Sequence, residues 1–246
     1  MDTNDKTTAY QSVAPLYDDL MQHVNYDEWF KHYMALISLS RIAVTELLEL
    51  GCGTGIMTQR FADYLEVTAV DASESMLRIA RRKSYEKNVH FFHADLRDFD
   101  LGRQFPVAVA IFDVLNCAKT YEDFSLYLAN IHRHLLPKGR LIFDVNTPYA
   151  FESQLFDEDV YDDLSGYRHR WRGKYDPDTQ LIRVRMQFEL DGERFEEVHV
   201  QRAHTRAEIS AALRSLKFKR VQFYDANTFS EPTQRTDRWL ISATKY

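Results

Sequence analysis

Glu49-Leu50-Gly51-Cys52-Gly53-Thr54-Gly55 decides how this chain is read. Three of its eight glycines fall within five residues here. An apolar run, residues 44–50, comes just before them and a helical pattern, residues 56–64, just after, so the stretch joins a buried strand to a helix. Glycine lets the backbone turn tightly and, lacking Cβ, lets a ligand approach the main chain. One glycine would serve a turn; three at alternate positions point to clearance for a ligand. A dinucleotide site wants Gly-x-Gly-x-x-Gly with a helix N-terminus aimed at pyrophosphate. A phosphate loop ends in Gly-Lys-Ser/Thr. This chain has Gly-x-Gly-x-Gly with Glu49 ahead of it, which disfavours a nicotinamide-dependent oxidoreductase.

Outward from that turn, further apolar runs at residues 67–70, 89–92, 107–112 and 141–145 read as strands, separated by helical patterns at 74–87 and 121–136. Leu136-Pro137-Lys138-Gly139 stops the last helix. Strands alternating with helices imply right-handed crossovers and a mostly parallel sheet covered on both faces. Ahead of the sheet, Val13, Leu16, Tyr17 and Leu20 fall at helical spacing, and a second helical run passes through Trp29, Tyr33, Leu36 and Ile37; Pro15 predicts a kink or restart. After Val145 the rhythm changes. Ile182, Val184, Met186, Phe188 and Leu190 alternate with Arg183, Arg185, Gln187 and Glu189, and Asp191-Gly192 offers a hairpin turn. Residues 167–175 alternate too, with Arg168, Arg170, Arg172 and Lys174 on one face, before a turn at Asp176-Pro177-Asp178-Thr179. A helix at 207–216 and strands at 219–224 and 238–244 complete the chain. The expected organisation is therefore an α/β domain, residues 1–150 and 204–246, with a small antiparallel β subdomain, residues 151–203, inserted over the carboxyl edge of the sheet, where such folds bind ligands.

Asp71 ends the second strand, where a carboxylate can accept both hydroxyls of a ribose, and Asp95 follows the third, where it can accept an exocyclic adenine amine. No Lys/Arg cluster awaits a phosphate. The net charge of −6 gives no electrostatic footprint for nucleic acid. No secretory or membrane-spanning run is present, and two cysteines, Cys52 and Cys117, make neither a disulfide framework nor a zinc site. A soluble protein of the reducing cytoplasm, monomeric or homodimeric and without a metal, is the expectation.

Glu49–Gly55, Val70-Asp71-Ala72-Ser73-Glu74-Ser75-Met76 and Ala94-Asp95 together resemble the first three motifs of class I S-adenosylmethionine-dependent methyltransferases. Tyr10–Asp18 is similar to the tyrosine-bearing N-terminal helix of a small-molecule branch of that family, of bacterial type, and Leu135–Phe143 to its helix-to-fifth-strand junction. The resemblance implies a Rossmann-like sheet of order 3-2-1-4-5-7-6 with strand seven antiparallel. It implies S-adenosyl-L-methionine as cofactor and S-adenosyl-L-homocysteine as product. Carried over by position, Gly51 and Gly53 would line the methionine part of the cofactor, with Cys52 and Ala72 in the same set; Asp71 would bind the ribose, Met76 would pack on adenine, and Asp95 with the Leu96 amide would read its edge. Asp113 would sit near the methionine amino group, and Tyr10 and Tyr17 would close over the cofactor.

Plainer roles stand beside these. Asp71 could cap the following helix, and Tyr10 and Tyr17 could be core aromatics. The arginine face could form an ion-pair ladder with Glu189, Glu193, Glu196 and Glu197. Cys52 and Cys117 read as small packed residues, and His132 and His134 as cations at a helix C-terminus. Methyl transfer from a sulfonium is an in-line displacement in which the protein mainly aligns the acceptor, so no catalytic residue need be recognisable. Asn116, Tyr149, Trp171 and Arg202 are the residues expected to face a small soluble acceptor. A non-catalytic protein that binds the same cofactor is the alternative.

Overall fold

The apolar runs at 44–50, 67–70, 107–112 and 141–145 become strands buried on both faces, whereas the 89–92 run becomes an edge strand with Phe92 exposed. In the computed structural model, which describes residues 10, 13–84, 88–153, 156–162, 167–190 and 193–246, a 3-10 turn (Ala14–Leu16) leads into α1 (Tyr17–Leu20) and then α2 (Tyr26–Ser38). There follow β1 (Glu46–Leu50), α3 (Ile56–Ala62), β2 (Glu66–Asp71), α4 (Glu74–Lys83), β3 (Val89–His93) and β4 (Phe105–Ala110). A 3-10 turn (Val114–Cys117), α5 (Tyr121–Arg133), β5 (Leu135–Asn146) and α6 (Pro148–Glu152) come next. The insertion is β6 (Glu158–Asp162), β7 (Tyr167–Asp176), β8 (Leu181–Leu190) and β9 (Glu193–Arg202), before α7 (Arg206–Ser215), β10 (Lys219–Asp225) and β11 (Arg238–Thr244).

The main sheet has seven strands in the order β10-β11-β5-β4-β1-β2-β3. β11 runs antiparallel to both β5 and β10, as expected of the seventh strand in the implied order. Alternate residues of each strand serve opposite layers: Leu48 and Leu50 pack with Phe124, Leu128, Ile209 and Leu213 of α5 and α7, whereas Leu47 packs with Tyr33, Leu36, Phe61 and Leu77 of α2, α3 and α4. The insertion forms a separate antiparallel sheet, β6-β7-β8-β9. Its inner side chains Ile182, Val184, Met186 and Phe188 are buried against Val13, Ala14, Leu20 and Met76. Each such burial is worth about 1.5–3 kcal/mol, so the small sheet and the N-terminal segment hold each other over the parallel sheet's carboxyl edge.

Several local expectations change. β6 carries no alternation that the sequence made visible. α5 ends at Arg133, and Leu135 already pairs with Phe105; the register then jumps to Val107↔Arg140, so Pro137-Lys138-Gly139 is an irregularity inside a strand rather than a helix stop. His134 is buried and spends both ring nitrogens on the backbone, at the Leu101 N–H (3.0 Å) and the Asn130 carbonyl (2.8 Å), instead of standing as a cation at the helix end. The Asp176–Thr179 turn forms as read, with the Thr179 hydroxyl donating to Asp176 at 2.8 Å. The expected turn at Asp191-Gly192 and the end of the 74–87 helix pattern, residues 85–87, lie outside the described residues.

Candidate active site

The three glycines differ in what they do. All have left-handed φ, at +66° for Gly51, +54° for Gly53 and +81° for Gly55. A Cβ on Gly51 would meet Val114 at 2.4 Å, so this glycine is required by packing. A Cβ on Gly53 would meet nothing within 4 Å. That open side is a cavity of about 410 Å³ running from the glycine turn to the inserted sheet. Gly53 is thus the position at which the main chain is bared to a ligand.

Asp71 stands at the end of β2 with one main-chain donor on each oxygen: Gly53 N–H at 2.8 Å and Ser73 N–H at 2.8 Å. Each oxygen keeps a further lone pair for a hydroxyl. The capping role falls to Ser73, whose side chain accepts from Met76 N–H. Burial raises the Asp71 carboxyl, and the Ser73 and Gly53 bonds oppose that shift. Asp95 lines the cavity beside Leu96 and is held by Arg97, whose Nη2 donates at 2.6 Å. Burial acts to raise its carboxyl, but the Arg97 bonds outweigh it and the net shift is downward.

Glu49 lies under the turn, buried, with Oε2 unpartnered. Burial pushes its carboxyl from 4.5 up to about 8, the nearby Asp71 adding to the rise and a Thr58 hydrogen bond opposing it. An orphaned buried carboxyl oxygen at the wall of the cavity suits a ligand that brings positive charge. Gly53, Asp71 and Glu49 together therefore fit a ribose-bearing cation and provide nothing for a pyrophosphate.

Tyr10, Tyr17, Gly51, Cys52, Gly53, Asp71, Ala72, Met76, Asp95 and Leu96 all line this cavity. Tyr10 and Tyr17 meet edge to face at 6.1 Å, and burial raises both hydroxyls. α1 is fastened to the glycine turn through Asp18, which accepts the Thr54 hydroxyl at 2.5 Å and pairs with Lys83. Asp113 is different. Its carboxylate is spent on Arg238 at 2.8 Å and on the Gln201 amide, behind the wall formed by Phe112 and Val114. Asp144, buried beneath it, accepts from Phe112 N–H (2.7 Å), Asp113 N–H (2.9 Å), Tyr33 Oη (2.8 Å) and Arg238 (2.6 Å).

None of the four residues expected to face the acceptor lines the cavity. Asn116 is fully buried and joins β5 to the end of β9, donating to the Asn146 (3.1 Å) and Arg202 (2.8 Å) carbonyls and accepting from Asn146 N–H (2.9 Å). Arg202 turns toward α7, pairing with Glu208 at 2.6 Å and meeting His204 Nδ1 at 2.8 Å. Trp171 packs with the apolar layer beneath the inserted sheet, and Tyr149 sits half-exposed on α6. The insertion reaches the cavity instead through Val198, His199, Val200 and Gln201 of β9. The sequence holds a signal for this in Glu197-Val198-His199-Val200-Gln201: the polar residues 197 and 201 are buried while Val198 is exposed at the cavity's rim, the inverse of an ordinary half-buried strand. Glu197, expected in the outer ion-pair ladder, belongs to that buried set, whereas Arg185 and Glu196 do pair on the outer face at 2.7 Å. Among the described residues no cluster suits a metal ion, and no helix is long and apolar enough to cross a membrane.

Residues 47–139 match the family model of a methyltransferase domain. Over 243 residues, 96% of this chain and 97% of the relative, the protein is 31% identical to "Putative methyltransferase YqeM" of Bacillus subtilis (strain 168). It is 31% identical, over 63% of each chain, to dTDP-4-amino-2,3,4,6-tetradeoxy-D-glucose N,N-dimethyltransferase of Saccharopolyspora spinosa. Its fold is similar to that of an S-adenosylmethionine-dependent methyltransferase from Clostridium acetobutylicum ATCC 824, with a TM-score of 0.82 at 24% identity, covering 96% of this chain and 98% of that one.

Proposed function

This chain belongs to the class I S-adenosylmethionine-dependent methyltransferases, and from that premise we propose that it methylates an amino nitrogen of a small soluble molecule held between the glycine edge of the parallel sheet and β9. The observation that carries the reading is the two-part lining of the cavity: cofactor-type residues on β1, β2 and the loop after β3, and His199 and Gln201 on the inserted sheet facing them. The N,N-dimethyltransferase relative, whose name carries an amino sugar, supports an amine. The carboxyls of Glu49, Asp71 and Asp95 on the lining also favour positively charged ligands.

Gly51 and Gly53 would hold the cofactor through the backbone, Asp71 at the ribose, Asp95 with the Leu96 amide at the adenine edge, and Met76 against its face. The cofactor supplies an electrophilic methyl group and its own leaving group. The chain's work is to align the acceptor lone pair with that methyl and exclude water, which Tyr10, Tyr17 and β9 do by roofing the cavity.

Incubation of the protein with methyl-labelled S-adenosylmethionine and a small-metabolite extract, followed by identification of the labelled product, tests the proposal; an N-methylated small molecule is expected. Label recovered in nucleic acid, with oligonucleotide binding that weakens steeply as salt rises, would overturn it.

A further inference from the structure

We infer that His199 is the catalytic base that removes the acceptor's proton, and that Glu197 orients it while fastening the N-terminal segment over the site. The inference rests on reading the cavity as the methyltransferase site for an amine.

His199 Nε2 lies 2.9 Å from Glu197 Oε2, and the two side chains are only 11% and 7% exposed. The same carboxylate receives Tyr10 N–H on Oε2 at 2.8 Å and Val13 N–H on Oε1 at 3.0 Å. Two main-chain donors converging on one carboxyl call for an acceptor-only, ionised group. The imidazole must then donate from Nε2, which leaves Nδ1 with its lone pair. The ring packs against Tyr10 at a tilt of 57°, with centroids 4.3 Å apart, and lines the cavity. A base with one nitrogen pinned by a buried carboxylate, on a ring that lines a ligand cavity, matches the base–orienter pairing of general-base catalysis. The same face of this small sheet carries the apolar Ile182, Val184, Met186 and Phe188, with His169 and Gln201 as its other buried polar groups. A carboxylate and an imidazole are costly to bury beside that apolar layer.

The other titratable groups around the Tyr10–His199 contact suit the role less. The Tyr10 and Tyr17 hydroxyls and the Cys117 thiol are all raised by burial, away from neutrality. Asp113 is committed to Arg238 and Gln201, and Asp71 to Gly53 and Ser73. Imidazole is the side chain that exchanges a proton near neutral pH.

The step balances as follows. The acceptor nitrogen's lone pair forms the new N–C bond as the C–S bond breaks, and that bonding pair stays on sulfur as the thioether. The acceptor arrives as an ammonium whose N–H proton first passes to Nδ1 of His199, which frees that lone pair, and the imidazolium so formed is paired with Glu197 until the proton leaves to solvent.

Nitrogen-15 histidine NMR of the full chain with S-adenosylhomocysteine reads the tautomer directly. Nε2–H with a bare Nδ1 at His199 is expected; a protonated Nδ1 in the neutral ring overturns the assignment. H199Q should bind S-adenosylhomocysteine within about threefold of wild type by calorimetry. Its transfer of label from S-adenosylmethionine into the metabolite extract should fall about a hundredfold or more at pH 7 and recover toward pH 9, as solvent deprotonates the amine. E197Q should lose the fixed Nε2–H tautomer at His199 in the same NMR measurement and gain proteolytic sensitivity around residue 10. Label transfer by H199Q equal to wild type at pH 7 overturns the inference. A wild-type protein that labels no small molecule instead overturns the acceptor reading on which it rests.

Discussion

Asp71 shows what one carboxylate can carry, with a backbone donor on each oxygen and a free lone pair beside each. D71A is expected to weaken S-adenosylmethionine binding ten- to a hundredfold or more, since hydrogen bonds to a charged acceptor are worth about 1.5–3 kcal/mol each. The melting temperature should change less than the affinity, because Ser73 keeps the cap of α4. Calorimetry and thermal unfolding on the same sample check both halves. Glu49 makes a pH prediction. Its folded carboxyl stands at about 8, above its ordinary value of 4.5, so it adds stability at pH below that ordinary value and loses it as pH rises through about 8. A cationic ligand favours the ionised form, so cofactor binding near pH 7 should expel close to one proton, and affinity should rise with pH up to about 8. Calorimetry in two buffers of different ionisation enthalpy measures that proton, which E49Q should not release. Of the ten expected residues from Tyr10 to Leu96 that line the cavity, Gly51, Gly53, Asp71 and Asp95 could be read from the sequence because each sits at a fixed offset from a strand end or the glycine turn, whereas Tyr10, Tyr17, Cys52, Ala72, Met76 and Leu96 followed only from the family resemblance. Asp113 shared that offset, but its carboxylate is occupied by Arg238, a residue 125 positions away and paired through an antiparallel strand that no local pattern reveals.

At the level of elements, Arg238 joins the loop after β4 to β5 and β11. It pairs with both Asp113 and Asp144 and lies over the Trp29 ring at 5.6 Å. The neighbouring Asp113 and Asp144 charges hold its guanidinium protonated against the cost of burial. R238M leaves two carboxylates facing each other with no cation between them, which should cost about 3–5 kcal/mol. Chemical denaturation near pH 7 measures the loss, and mild acid should return part of it, because burial already raises the Asp144 carboxyl. The alternation in β7 and β8 was legible because one face is buried and the other wet. β9 misled for the opposite reason: its inward face is polar because it lines a site, so matching hydrophobicity to burial sends Glu197 to the wrong side. The candidates Asn116 and Arg202 were near the right place in the chain, but their side chains serve the joints between elements.

Taken whole, the cavity lies between the glycine edge of the parallel sheet and an inserted sheet that shares an apolar layer with the N-terminal segment and α4. Exchanging residues 165–203 for a short linker should abolish methyl transfer. It should also weaken cofactor binding, because Val13, Ala14 and Tyr10 lose the surface and the Glu197 carboxylate that hold them; calorimetry on the excised protein checks the second outcome. The parallel sheet should survive, since its two faces are filled by α2–α5 and α7. Those layers were readable from hydrophobic period alone, whereas contact between residue 10 and residue 197 depends on tertiary closure. The place of β11 bears on how the protein is made. It lies between β5 and β10, bonding to both, yet it leaves the ribosome after either of them. A nascent chain extending only to residue 225 therefore presents the edge of β5, with Leu141, Phe143 and Val145, unpaired and open to stray strands. Arg238 arrives on that same strand, so the wall behind the ligand cavity cannot be charge-balanced until synthesis has passed it. A ribosome stalled before residue 238 should hold a chain that is sensitive to protease and poor at retaining cofactor, and release of the chain carrying residues 238–246 should cure both defects together.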